Sequence, residues 1–364
     1  MAHVASAGGG ARAGDRVGEL LERRVAAGER FFDAEAERIA HLCLELARRF
    51  VRGGRLLAVG GSPQAWSDAH HVAVEFVHPV IVGKRALPAL ALGRDDLALL
   101  AGDDDIVVTF EPLTIAGETF EPPTDDPLVA QELCETLYHV VWELVHVFFE
   151  HLGGSTAGAG ASAFLYPFLA APAESVDAVV EDVRRSVLMK SAEAGDLRTQ
   201  TLEEGRDELL AAAAALRRSF DAGGTLLAFG NGGSATDAED VVADFRAVSR
   251  RALNLSADPS ILTALANDIG PDVVFQRQVI AYGREGDVAL ALSTSGHSEN
   301  VIAALAEARR RGLATIAMVG YDGGRVARER LADHVVVSRS EHIPRIQEAQ
   351  ASAYHVLREL VENA

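Results

Sequence analysis

Cysteine is almost missing from this 364-residue chain: Cys43 and Cys134 are the whole complement, too few for a disulfide framework or a cysteine-type zinc site. The default expectation is therefore a reducing, cytoplasmic setting. Long apolar runs are also missing, since no stretch approaches the roughly 18 uninterrupted residues a membrane span needs. The opening segment, MAHVASAGGGARAGDR, has no apolar core of a secretory signal and reads as a flexible tail. Basic residues are scarce: 34 Lys and Arg stand against 53 Asp and Glu, a formal charge of −19. Such a surface repels phosphate backbones and anionic lipid, so neither nucleic acid nor membrane is expected as a partner. Both the GxGxxG fingerprint of nicotinamide binders and a phosphate-loop lysine are absent. What remains is an ordinary globular balance, 48% apolar and 24% charged, with length for about two domains.

The chain repeats itself. GGRLLAVGGSPQAWSDAHHVAVEF (Gly53 to Phe76) matches GGTLLAFGNGGSATDAEDVVADF (Gly223 to Phe245), and KRALPALALGRDDLALLAGDD matches RRALNLSADPSILTALANDIG. Each half closes on Gln-Glu followed by His, as Gln131 with His139 and Gln347 with His355. Glu75 maps to Asp244 at an offset of 169, but His139 maps to His355 at 216, so the first half is 47 residues shorter between those points. The interval holds GDVALALSTSGHSENVIAALAEARRRGLATIAMVG in the second half, read as strand, loop, helix and strand. Each half opens on a helical pattern (15–52; 173–222), then an apolar run (Leu56 to Val59; Leu226 to Phe229), a glycine turn and another helix. This alternation predicts an α/β fold with parallel, flavodoxin- or Rossmann-like sheets, the first one truncated. The expected domains are 15–152 and 173–364, joined by a linker at 153–172 that opens with GGSTAGAGASA.

Two turns have the composition of an anion cradle. GNGGS (Gly230 to Ser234) and STSGHSEN (Ser293 to Asn300) each follow a strand and open a helix, where backbone N–H groups and hydroxyls converge. Neither contains Lys or Arg, so an anion there would be held by neutral donors. His71 and Glu75, four apart, share a helix face, and Gln131 and His139 lie about two turns apart on another helix. Two imidazoles, a carboxylate and an amide oxygen suit a borderline divalent ion, zinc first. The bland alternatives are plain turns, a solvated helix pair and a hydrogen-bonded core histidine, with His146 and Glu150 as a decoy pair.

These motifs resemble the phosphoheptose (sedoheptulose-7-phosphate) isomerase family of the sugar-isomerase, or SIS, superfamily. GNGGS, LANDIG, GREGDVALALSTSGHSENVI and RIQE…H run in that family's order from about Ala173 to Ala364, and the first half resembles it more faintly. The resemblance implies that Asn231, Gly232, Ser234, Ser293, Thr294, Ser295 and Ser298 grip a sugar phosphate, with Asp268 and Gln347 also facing substrate. It implies a zinc set of His, Glu, Gln and His, the Glu doubling as base and the last His as acid. The second half departs from this, with Asp240 and Asp244 at the His and Glu positions and Pro344 in place of an acidic residue, while keeping Gln347 and His355. The first half keeps His71, Glu75, Gln131 and His139 but lacks STSG. One repeat thus keeps the phosphate grip and the other the metal-and-base set.

The chemistry so implied is aldose–ketose isomerisation through an enediol(ate), with a carboxylate removing a proton α to the carbonyl. Glu75 is the first choice of base and Asp244 the competitor, one methylene shorter and so set back by about 1.5 Å. His139 or His355 would be the acid. If the last helices exchange between halves, His71 and Glu75 would join Gln347 and His355, and Asp240 and Asp244 would join Gln131 and His139. The rival reading is a non-catalytic phosphosugar sensor or scaffold on the same fold. A homo-oligomer is expected, a dimer of the tandem chain. Trp66, Trp142 and both cysteines read as packing residues, His78 as a surface turn, and Asp103 to Asp105 as a solvated loop.

Overall fold

The computed structural model describes residues 8–79, 84–111, 117–152 and 176–363, with the side chains of 8–15 and 149–152 left aside. The first helix, α1 (Gly8–Val51), begins seven residues earlier than the sequence pattern suggests and takes in part of the expected tail. Phe32, Ala36, Ile39, Cys43 and Leu46 recur at three- and four-residue steps along it and are all buried. Gly53, at φ +91°, then turns the chain into β1 (Leu56–Val59). Helix α2 (Pro63–Val77) is started by Ser62, whose hydroxyl accepts the Ala65 N–H at 3.1 Å, and by proline at its first position; it stops just before Pro79. There follow β2 (Ala89–Leu92), α3 (Arg94–Leu100), β3 (Ile106–Thr109), the two-residue β4 (Glu118–Thr119) and α4 (Pro127–Leu152). The sheet runs β2-β1-β3-β4, all parallel, with Leu56 opposite Ala89 on one side and Ile106 on the other.

The second half repeats this pattern and completes it. Helices α5 (Val176–Glu204) and α6 (Arg206–Asp221) part at Gly205, and lead to β5 (Leu226–Phe229) and α7 (Gly233–Ala247). Next come β6 (Ala252–Asn254), α8 (Pro259–Asp268), α9 (Val274–Tyr282), β7 (Val288–Ser293), α10 (Glu299–Arg310), β8 (Ala314–Gly320), α11 (Gly324–Arg328), β9 (His334–Ser338) and α12 (Ile343–Glu362). The sheet order is β6-β5-β7-β8-β9, all parallel, and Leu226 pairs with Ala252 and Val288 as Leu56 does with its two partners. Every residue of β5 and β7 is buried, the signature of a sheet covered on both faces.

The shared register refines what the first half has lost. A strand persists in β7's place, as β3, and β4 is a stub in β8's place. Among the described residues, the first half lacks helices like α9, α10 and α11 and a fifth strand.

The chain divides into two compact units, Ala26–Ala194 and Met1–Val25 with Gly195–Ala364. Both divisions fall inside long helices, α1 and α5, and so cut across the boundaries expected from the repeat. A helix of 44 residues is about 66 Å long, more than one core can cover. The expected linker, 153–172, lies outside the described residues. In the Ala26–Ala194 unit a large apolar cluster joins Phe31, Phe76, Leu133 and Trp142 and a small one joins Leu57, Val59 and Leu92; in the other, clusters form around Leu290 with Tyr354 and around Phe229 with Phe275. Cys43 and Cys134 are buried, as expected of fillers. Among the described residues no helix is long and apolar enough to cross a membrane.

Candidate functional site

In the Gly195–Ala364 unit the two glycine turns lie at the carboxyl ends of adjacent strands, β5 and β7, where open α/β sheets bind ligands. Gly230 cannot carry a side chain, because a Cβ would collide with the Ser234 carbonyl. The turns are tied together by Asn231 and Asn300, whose side-chain amides each donate to the other's oxygen at 3.0 Å. Ser293 Oγ accepts the Gly296 N–H and Ser295 Oγ accepts the His297 N–H, both at 3.2 Å, so the loop is internally braced. Ser298 stands at the start of α10 without a side-chain capping bond. Beneath it, Gly296 (φ +61°) and Gly324 (φ +56°) pack backbone to backbone, and a Cβ on either would strike the other turn.

A cavity of about 800 Å³ opens beside this loop, bounded by Ser295 and His297, by Tyr321 and Asp322 after β8, and by Arg339 to Glu341 after β9. The sequence reading missed the last two groups, although their place after apolar strands was the available signal. The Asp322 carboxyl is held below its ordinary range, chiefly by the Gly324 N–H. Of the other expected substrate residues, Asp268 is exposed at the end of α8 and accepts the Asn267 amide at 2.8 Å, and Gln347 is buried on α12. Neither Asp244 nor His355 lines the cavity.

Asp240 and Asp244, one turn apart on α7, face α12. Tyr354 O–H donates to Asp240 Oδ2 at 3.5 Å, and His355 Nε2 lies 3.1 Å from Asp244 Oδ2. All four side chains are buried. Asp240, Asp244 and His355 do not draw three donor atoms within 4.8 Å of one another, which is what replacing His and Glu by shorter aspartates would produce.

The Ala26–Ala194 unit has the converse arrangement. Its GGSPQ turn keeps the tight first glycine, Gly60, whose Cβ would collide with the Ala65 carbonyl. Here, however, an anion is already supplied from within: the Glu111 carboxylate accepts the N–H groups of Gly61 and Ser62, the latter at 3.1 and 3.2 Å. A carboxylate at a helix N-terminus satisfies the donors a phosphate would otherwise take. Nothing in the local sequence announced this contact.

His71 and Glu75 on α2 meet His139 on α4, with one donor atom from each lying within 4.8 Å of the others. The His71 and His139 rings are 5.0 Å apart, and His71 Nε2 is 3.8 Å from Glu75 Oε1. Among the described residues Glu75 Oε2, which is buried, has no hydrogen-bond partner, an arrangement that suits an oxygen meeting a cation. Burial pushes the Glu75 carboxyl up to about 8, with the Glu143 charge adding to the effect. Burial, and then His139, hold His71 well below its ordinary value, so it is neutral and able to ligate. Gln131 is buried on the same helix as His139, and its amide N–H donates to Asp68 Oδ1 at 3.0 Å. That bond turns its oxygen away from Asp68. The residues present therefore fit a metal ion. His146, of the decoy pair, bonds the Trp142 carbonyl at 2.8 Å, and the Glu150 side chain lies outside the described set.

His139 meets the His71 and Glu75 of its own half, and His355 the Asp244 of its own half.

A family model described as SIS domain matches residues 191–320. The chain is 39% identical over 193 residues to phosphoheptose isomerase of Roseiflexus sp., covering 50% of this chain and 91% of that protein. It is 47% identical over 159 residues to phosphoheptose isomerase of Pelobacter propionicus, covering 42% and 82%. This chain belongs to the phosphoheptose isomerase family of SIS-domain proteins. It is a member with a second SIS-like region added. Over 94% of its length it has the fold of the C-terminal domain of glucosamine-fructose-6-phosphate aminotransferase from Francisella tularensis, with TM-score 0.58, 10% identity and 95% of that chain covered. It likewise resembles tagatose-6-phosphate ketose/aldose isomerase from Escherichia coli, over its whole length and 96% of that chain, with TM-score 0.50 and 13% identity. Phosphoheptose isomerase homology over half the chain indicates an isomerase.

Proposed function

We propose that the chain isomerises a phosphosugar, sedoheptulose 7-phosphate or a close analogue, between its ketose and aldose forms. One observation carries this reading: the Gly195–Ala364 unit holds both glycine turns, bridged by Asn231 and Asn300, together with a buried carboxylate–histidine pair, Asp244 with His355. The turns would hold the phosphate through backbone N–H groups and the hydroxyls of Ser234, Ser293, Thr294, Ser295 and Ser298. A phosphate remote from the reacting carbons positions them, and its binding energy is used for orientation.

The proton chemistry needs a carboxylate to take a hydrogen from the carbon next to the carbonyl and an acid to return one to its neighbour. The chain has two such pairs, Glu75 with His139 and Asp244 with His355. His71, Glu75 and His139 would hold zinc, with the Gln131 oxygen as fourth donor; such an ion supplies polarisation of the sugar oxygens and offsets enediolate charge.

A binding-only reading is favoured by one fact: Asp240 stands where the family has a metal histidine. The test is direct. Purified chain is mixed with sedoheptulose 7-phosphate and the aldose product is followed by NMR, with Glu75→Gln and Asp244→Asn as separate variants. The variant that loses turnover while retaining phosphosugar binding identifies the base. Binding without turnover in the unaltered chain overturns the enzyme and leaves the sensor.

A further inference from the structure

A tyrosine precedes the last-helix histidine in both repeats, as Tyr138-His139 on α4 and Tyr354-His355 on α12. In both, its hydroxyl reaches back to the same position of the preceding glycine-turn helix. Tyr138 Oη lies 2.9 Å from His71 Nδ1, and Tyr354 Oη lies 3.5 Å from Asp240 Oδ2. The residue being touched has changed between the repeats from histidine to aspartate, yet the tyrosine and its direction are the same. The Tyr138 ring is itself fixed. It is buried between the rings of Phe110 (5.6 Å) and His139 (5.0 Å) and stands 5.1 Å from that of His71.

An imidazole presents two nitrogens, and which one has a lone pair to offer is set by the partner of the other. In His71 the Nε2 atom is the one facing Glu75, and Nδ1 is the one facing the phenol. We propose that Tyr138 is a positioning residue: its oxygen accepts the Nδ1–H of His71 and so holds the ring in the tautomer whose Nε2 lone pair is directed at the Glu75 side of the cluster. A phenol oxygen is a neutral acceptor, so it orients the ring without adding charge to a buried site. The inference rests on the reading of His71, Glu75 and His139 as metal ligands, and extends it by naming what pre-sets the first of them.

The first readout needs neither metal nor variant. Nitrogen-15 correlation spectra of the metal-free chain report which His71 nitrogen carries the proton; Nδ1–H is expected, and an Nε2–H tautomer overturns the proposal. The second compares Tyr138→Phe with His71→Ala by chelator competition for zinc and by the visible spectrum of bound cobalt. Tyr138→Phe is expected to weaken metal binding by about 10- to 100-fold and to alter the cobalt bands, with thermal melting of the metal-free protein little changed. Wild-type affinity and spectrum in Tyr138→Phe, alongside abolished binding in His71→Ala, would sink the positioning role and leave the metal set standing. An unaltered chain that binds neither zinc nor cobalt removes both.

Discussion

Replacing Lys190 by methionine removes one member of an ion pair that is almost fully out of water. Lys190 Nζ on α5 lies 2.5 Å from Glu143 Oε2 on α4, and the two side chains are 5% and 1% exposed. Without the ammonium, the Glu143 carboxyl stays in an apolar helix face, beside Glu75, whose carboxyl it already pushes up. Breaking a buried ion pair from one side costs about 3–5 kcal/mol in general, because the remaining charge loses an opposite charge held close to it out of water. The assay is built into the chain. Cys43 and Cys134 are both in the Ala26–Ala194 unit, both buried, and both pushed well above the ordinary thiol range by that burial. They react with a thiol reagent only when this unit opens, so labelling in native buffer follows its opening equilibrium. The expected acceleration is about 150- to 4,000-fold. Lys190→Met combined with Glu143→Leu restores most of the protection, since an apolar pair of similar volume is about as stable. Labelling of Lys190→Met within threefold of the unaltered chain would refute the reasoning. A double variant as labile as the single one would assign the cost to lost packing, not charge.

His146 makes the same unit sensitive to acid. Its burial, with Lys84 and Arg85 nearby, lowers it to about 4 against 6.5 in an open chain. Between those values the unfolded chain takes up a proton that the folded one refuses, so the contribution is complete above pH 6.5 and is lost as pH falls to 4. That loss is at most about 3 kcal/mol, and melting curves from pH 7 to 4.5 should be flatter for His146→Leu. Glu111→Ala uncaps the Gly61 and Ser62 N–H groups and should lower stability by about 1 kcal/mol, read as roughly fivefold faster thiol labelling. Gly230→Ala forces the turn away from the Ser234 carbonyl and should abolish phosphosugar binding by calorimetry, while Gly60→Ala, with the matching clash in the other unit, should leave binding intact.

Much of the fold was legible because the signals were local. The apolar runs at Leu56 to Val59 and Leu226 to Phe229, each between glycine turns, became strands with those same ends. His71 and Glu75 were placed together by helical spacing alone, and the family motif brought His139 to them. What stayed hidden depends on partners far along the chain. Glu111 meets Gly61 and Ser62 from the end of the neighbouring strand β3, 50 and 49 residues away, and no window around either reveals the contact. Tyr138 read as one more apolar residue of LYHVVWELVHVFF, because periodicity cannot say where a hydroxyl points. The acidic run was read as solvated, yet Asp105 accepts the Arg55 backbone N–H at 2.8 Å and pairs with its guanidinium at 2.7 Å. The division of α1 between units was also unreadable, since an amphipathic stripe records that a face is buried but not in which core.

The account rests on proton transfer at a sugar carbon, which hydrogen isotopes report directly. With sedoheptulose 7-phosphate in deuterium oxide, the chain should place solvent deuterium on the carbon beside the carbonyl, and Glu75→Gln or Asp244→Asn should stop it. A fully protonated sugar recovered after binding to the unaltered chain would contradict the isomerase.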